Sequence, residues 1–268
     1  SQERAFASRP YVHAAMRILA RDSGSDEAMQ HPLAQKRVAA KRLVVMVTSD
    51  KGLAGSVNSA VLKQADILRR SGVDFDVIAI GRKAVEYAER EGITIVAKYM
   101  NVADDVTIAD VYAMAAVAMD AFKNSDTYGE VNVIYQNFIS TFEQAPTLRQ
   151  VLPLDPAEIH YIMQGIKPKH GKFSEDIVAG DSVVNYTIEP NATAVLDALI
   201  PQLVQILLYH ALLESKASEH SARMVAMKNA TDKSKEVIKA LTIKFNKARQ
   251  AKITAEISEI TAGVAAME

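Results

Sequence analysis

The chain has 268 residues, 49% hydrophobic and 24% charged, with a formal net charge of −1, a globular composition with room for one large domain or two small ones. The absence of cysteine excludes disulfides, thiolate nucleophiles and cysteine-based zinc or iron–sulfur sites, and 6% aromatics without tryptophan are too few for a stacking surface that reads single-stranded nucleic acid. No run of eighteen apolar residues and no charged-then-apolar signal segment is present, so membrane association is expected only through a partner.

The opening residues from Ser1 carry no cap signal ahead of their first apolar stretch. Tyr11, Ala14, Ala15, Ile18 and Leu19 follow at helical spacing. Ser23 to Asp26 and then Gln30-His31-Pro32 break the pattern. Residues 1–21 therefore read as the remainder of a longer helix.

A new regime starts at Arg42. Leu43 to Val47 is a short continuous apolar run, the mark of a strand buried on both faces. Helices are predicted over Ser56–Arg70, Lys83–Arg90 and Ile108–Phe122, and strands over Val73–Ile80, Ile93–Ala97 and Val131–Tyr135. The alternation predicts a parallel-type α/β sheet. Thr147–Leu152 and Val183–Ile188 are candidate outer strands, and the Pro/Gly/Lys-interrupted 153–182 reads as a mobile loop.

The last regime begins near Asn191. Pro201 is placed in the first turns, where proline is tolerated. From Gln202 to Ala262 no proline or glycine occurs over 61 residues, about 90 Å of helix at 1.5 Å per residue. Met224, Met227, Thr231, Ser234, Ile238, Leu241, Phe245 and Ala248 alternate in steps of three and four, a heptad seam with six of eight positions apolar. A solitary helix cannot bury such a seam, so a second helix or a partner is expected. The organisation is thus 1–41 as helix remainder and connector, 42–190 as an α/β, Rossmann-like domain, and 191–268 as a long helix. Charge divides along the same lines: +4 over 1–42, −7 over 43–191, +2 over 192–268, with +6 concentrated in 219–252. The basic stretch reads as a solvated helix face that a partner with acidic loops could use.

Ser49 to Ser56 lies between a strand and a helix, where backbone N–H groups can hold phosphate. Its Gly-x-x-Gly is neither the dinucleotide nor the Walker pattern. The preferred reading is a tight turn, with Gly52 and Gly55 for close backbone approach and Ser56 or Asn58 near the cap. The histidines, at 13, 31, 160, 170, 210 and 220, form no metal-binding array. His210 with Glu214, and Lys216 with His220, read as helix-face pairs. Asp104-Asp105 reads as a pair of loop acids favouring a helix dipole. Glu256 and Glu259 lie on the last helix, and neither pair is assigned catalysis. No metal or cofactor is expected.

Four segments add a family resemblance. Ser218-Glu219-His220-Ser221-Ala222-Arg223-Met224-Val225-Ala226-Met227-Lys228-Asn229-Ala230-Thr231-Asp232 resembles a signature of the gamma subunit of F-type ATP synthases. So does Asn246 to Ile260, beginning Asn246-Lys247-Ala248-Arg249-Gln250. Ser49–Asn58 resembles the family's Ser-Asp-Arg-Gly-Leu-Cys-Gly-Gly-(Leu/Phe)-Asn, departing at Lys51, Ala54 and Ser56. Ser8-Arg9-Pro10-Tyr11 matches where the family's first long helix ends. The resemblance implies two terminal helices in an antiparallel coiled coil, inside a hexamer of alpha and beta subunits. It also implies an α/β foot that joins epsilon and the membrane ring of c subunits. Such a chain is a rotary shaft with no active site of its own and no cofactor. Arg249 and Gln250 match positions that touch an acidic loop of beta, Thr254 and Glu256 match a polar set nearby, and Arg223 and Lys228 match foot-end contacts. The implied location is peripheral, on the cytoplasmic face of a bacterial plasma membrane, with the matrix side of the mitochondrial inner membrane as the alternative. The absence of cysteine speaks against the thiol-regulated chloroplast form. Two competing readings are a nucleotide-binding α/β enzyme with a helical oligomerisation arm, and a self-associating coiled-coil scaffold.

Overall fold

The computed structural model describes residues 31–39, 41–124, 126–154 and 192–266. The chain divides into two units, up to Ala222 and from Arg223 onward.

The first unit is built on a five-stranded sheet. Its strands are β1 (Lys41–Val47), β2 (Phe75–Ile80), β3 (Ile95–Tyr99), β4 (Tyr128–Phe138) and β5 (Gln144–Leu152). Their spatial order is β3-β2-β1-β4-β5. The first four strands are parallel, as the βα alternation predicts. β5 lies at the expected outer position but runs antiparallel to β4, so the sheet is mixed. The reason is the link. Only residues 139–143 separate the two strands, enough for a hairpin and far short of a parallel crossover. Ser140 and Glu143 close that hairpin through reciprocal backbone hydrogen bonds of 2.9 and 3.2 Å. Pro146 is tolerated in β5 because the strand is an edge.

Helices cover both faces, as a parallel sheet requires. α1 (Val57–Arg70) and α2 (Arg82–Glu91) place Val61, Ala65, Leu68, Ala84, Val85 and Tyr87 against Val44, Met46, Val77, Ala79 and Ile134. The alternate residues Leu43, Val45, Val47, Ile78, Ile80, Val131 and Val133 point the other way. There they meet α3 (Ile108–Asn124) and the first part of α4 (Ala192–Ala265). Leu199 to Leu213 of α4 form the centre of this larger core. An apolar window within Asp197–Gly263 passes for a membrane span by length and composition, but 72% of that window is buried inside the protein. It is a core helix.

Two strands begin two residues later than the sequence suggests. After Gly72 (φ 82°) the Val73 N–H reaches back to the Leu68 carbonyl at 3.3 Å, and after Gly92 (φ 67°) the Ile93 N–H reaches the Ala88 carbonyl at 2.9 Å. These residues finish helix caps before the strand can start. Pro201 also differs from expectation. It is the tenth residue of α4 and lies inside the helix, so one carbonyl of the preceding turns lacks its intrahelical donor.

The second unit comprises the rest of α4 and the chain end. From Lys228 to Gly263 every residue is exposed. The helix predicted over 1–21, the strand predicted over Val183–Ile188 and the loop predicted beyond Leu154 lie outside the described residues.

Candidate functional site

The turn Ser49–Asn58 stands at the carboxyl end of β1, where ligands enter many α/β sheets. Its own side chains fill it. The Ser49 N–H donates to Asn58 Oδ1 at 2.9 Å, Asn58 Nδ2 donates to Ser49 Oγ at 2.7 Å, and Ser49 Oγ donates to the Lys51 carbonyl at 2.6 Å. Asn58 thus ties the turn shut and does not cap α1. Ser56 occupies the cap position without a side-chain hydrogen bond.

The neighbouring helix start is occupied too. Asp50 Oδ1 accepts the Arg82 N–H at 3.0 Å, and Thr48 Oγ1 accepts the Ala84 N–H at 2.9 Å. These are N–H groups of the first turn of α2, the kind that would otherwise face a phosphate. The cavity remaining beside Thr48, Ser49, Asp50 and Gly81 is about 10 Å³ and is closed by Ser215, Lys216 and Glu219 of α4. That is room for about one water molecule, far below the several hundred Å³ of a ligand pocket.

The close backbone approach assigned to Gly52 and Gly55 occurs elsewhere. Nothing lies within 4 Å of a Cβ built on Gly52, and at Gly55 (φ +59°) the nearest atoms, from Ala222, are 4.0 Å away. Gly81 and Gly129 are the tight positions. A Cβ would stand 2.2 Å from the Thr48 carbonyl oxygen at Gly81 and 2.0 Å from the Ala39 carbonyl oxygen at Gly129.

Two expected helix-face pairs of α4 turn out to be tertiary contacts. Lys216 Nζ lies 3.2 Å from Asp104 Oδ1 and 2.8 Å from the Val102 carbonyl, and His220 Nε2 lies 3.4 Å from the same carboxylate. Asp104 therefore answers the Lys216 ammonium and the His220 imidazole of α4 and not a helix dipole. The Lys216 hydrogen bond holds its carboxyl below the usual range. His210 and Glu214 face inward, beside Tyr135 and Arg149, around a cavity of about 20 Å³. Burial pushes the Glu214 carboxyl up to about 7, against the opposing influence of the Tyr135 hydroxyl and the Arg149 charge. Ser215 and Ser218, not singled out by the sequence, grip β4: the Gln136 N–H donates to Ser215 Oγ at 3.4 Å, and Ser218 Oγ donates to the Gln136 carbonyl at 3.2 Å. Serines on an apolar face of a long helix were the available signal.

The residues implied in partner contact all lie on α4 in the second unit. Arg249, Gln250, Thr254, Glu256 and Lys228 are exposed, and Arg223 is half-buried. Arg249 and Glu256 are seven apart and share one helix face, while Gln250 and Thr254, four apart, share the adjacent one. Thr254 Oγ1 donates to the Gln250 carbonyl at 2.9 Å, and Lys252 lies 3.8 Å from Glu256. Around them Ile238, Leu241, Phe245, Ile253, Ile257 and Ile260 stand in solvent, 46–69% exposed. A helix carrying that much uncovered apolar side chain is shaped to be enclosed.

Known proteins share this organisation. A family model described as ATP synthase matches residues 1–267. The ATP synthase gamma chain of Roseiflexus castenholzii is 37% identical over 273 residues, covering 100% of this chain and 87% of the relative. That of Staphylococcus saprophyticus is 35% identical over 264 residues, covering 97% and 85%. Among solved structures, a chain of the Euglena gracilis mitochondrial ATP synthase (OSCP, F1 and c-ring) superposes with a TM-score of 0.58 at 16% identity, covering 99% of this chain and 89% of that one. A chain of the central stalk and c-ring of the Tetrahymena thermophila enzyme gives 0.54 at 20%, covering 85% and 99%. The structural likenesses carry the fold, and the sequence matches over nearly the whole length carry the family: the chain belongs to the ATP synthase gamma chains.

Proposed function

We propose that this chain is the central rotor shaft of a proton-translocating F-type ATP synthase. It transmits rotation between a membrane ring of c subunits and a catalytic hexamer of alpha and beta subunits, and contributes no active site itself. The observation that carries this reading is the exposed apolar stripe of α4 from Met224 to Ile260, on a helix whose other half is locked into the α/β unit. Torque then arises as differential free energy: each hexamer state favours the rotor orientation whose contacts it binds best.

In this reading Arg249 and Gln250 meet an acidic loop of beta, with Thr254 and Glu256 beside them. A guanidinium suits such a loop because it pairs with a carboxylate through two hydrogen bonds. Arg223 and Lys228 serve contacts toward the foot, which also carries epsilon. The chain takes no nucleic acid and does not itself insert into the bilayer. The complex sits at the cytoplasmic face of a bacterial plasma membrane, with the mitochondrial matrix face as the alternative.

The test is an affinity pull-down of the tagged full-length chain from its native membranes, with ATP hydrolysis assayed in the eluate. Recovery of alpha, beta and epsilon with activity supports the shaft. Recovery of the chain alone with bound nucleotide overturns it in favour of a nucleotide-binding enzyme.

A further inference from the structure

The connector ahead of β1 meets the start of α4 through the imidazole of His31. His31 is buried, and its ring makes two hydrogen bonds that differ in kind. The Leu33 N–H, which can only donate, points at Nδ1 from 3.1 Å. Nδ1 must therefore carry the lone pair. Nε2 carries the proton and donates to Asp197 Oδ1 at 3.0 Å. One neutral tautomer satisfies both partners.

The same residue organises its turn. The Ala34 and Gln35 N–H groups donate to the His31 carbonyl at 2.8 and 3.1 Å, and the Leu154 N–H donates to the Leu33 carbonyl at 2.9 Å. Leu33 is fully buried in the core shared with α4. A second proton on the ring would set an N–H at Nδ1 against the Leu33 N–H and strip that buried amide of its acceptor.

We propose that His31 is a pH-operated latch: neutral, it joins the 31–35 turn to the base of α4 through Leu33 and Asp197, and protonated at Nδ1 it releases the Leu33 amide and loosens the turn. The charged groups facing the ring among the described residues are Asp197 of α4, which favours protonation, and Lys123 of α3, which opposes it. Burial is the largest influence, and the ring's pKa lies below the ordinary 6.5. An unfolded chain therefore takes up its proton first as pH falls. The turn has its full stability above about 6.5, loses it progressively below, and reaches its floor once pH has passed the folded-state value.

The test is hydrogen exchange of the assembled complex between about pH 7.5 and pH 5, following the peptide that contains Leu33 and correcting for intrinsic rates. Protection in the native protein should fall roughly five- to tenfold on acidification, as expected for loss of one hydrogen bond. In H31Q the side-chain carbonyl can accept from Leu33 and its NH2 can donate to Asp197 without titrating. Its protection should stay flat. Constant protection in the native protein, or an equal acid loss in H31Q, overturns the latch. D197N gives a second reading, since removing the carboxylate should move the acid step to lower pH. A step that stays or rises overturns the proposal as well.

Discussion

A Cβ on Gly81 would lie 2.2 Å from the Thr48 carbonyl oxygen, at a φ of +86° that side chains rarely adopt. Gly81→Ala must therefore open the β1–β2 junction, and we expect a loss on the order of 2–4 kcal/mol in denaturant unfolding. Gly52→Ala is the matched control: its Cβ meets nothing, and stability should stay within about 0.5 kcal/mol. Equal effects at the two positions would refute this account of the turn. The sequence marked the wrong glycines because close approach depends on which strand lies opposite, and pairing of β1 with β2 is not written in the Gly-x-x-Gly spacing. Glu214 provides a second prediction. Burial raises its carboxyl to about 7 from an ordinary 4.5, so the folded state holds this proton more tightly than the unfolded one. Stability contributed by the protonated form is present below about 4.5 and is lost as pH rises to 7. Glu214→Gln should gain about 2–3 kcal/mol above pH 7, falling to nothing below pH 4.5, in thermal unfolding measured across pH. A variant destabilised above pH 7 would mean that Arg149 stabilises an ionised Glu214.

Much of the α/β unit was legible at the level of elements because periodicity reports burial directly. Leu43–Val47 reads as a doubly covered strand, and it is one. The length of β4 was not legible, since Asn132 and Gln136 are polar yet 4% and 3% exposed, and the serines of α4 that serve Gln136 lie 79 and 82 residues away. The seam of α4 was partly legible. Through Ala248, which is also exposed, it follows the heptad, and the large exposed apolar positions beyond it are Ile253, Ile257 and Ile260. Ile238 tests the seam itself. It is 63% exposed in this chain, so Ile238→Asp should leave unfolding of the α/β unit within about 0.5 kcal/mol. Enclosed in the complex, the same charge would be buried without a partner, at about 3–5 kcal/mol. Assembly, measured as recovered hexamer per shaft, should fall at least about tenfold. Normal assembly would show that this face stays in solvent.

The whole chain separates the task of being held from the task of pushing. The chain divides into one unit up to Ala222, which carries the sheet, and another from Arg223 on, so a change at the far end of α4 should spare the α/β unit. Arg249 has no ion pair among the described residues, whereas Glu256 already has Lys252 at 3.8 Å. The Arg249 guanidinium is thus open to an acidic partner. A bidentate, charge-assisted contact made in one rotary state contributes about 2–3 kcal/mol. Removing it flattens the energy difference between states by that amount, which corresponds to roughly thirty- to more than a hundredfold in a state equilibrium. Arg249→Ala with Gln250→Ala should therefore lower ATP synthesis relative to hydrolysis, or lower assembly, while the foot's unfolding curve stays unchanged. Parallel assays of synthesis, hydrolysis and subunit content in the double mutant separate the cases. Lower synthesis with full subunit content places the pair in torque transfer, and lower subunit content places it in assembly. Native values for all three would remove Arg249 and Gln250 from the contact, leaving the apolar stripe to transmit rotation by shape alone.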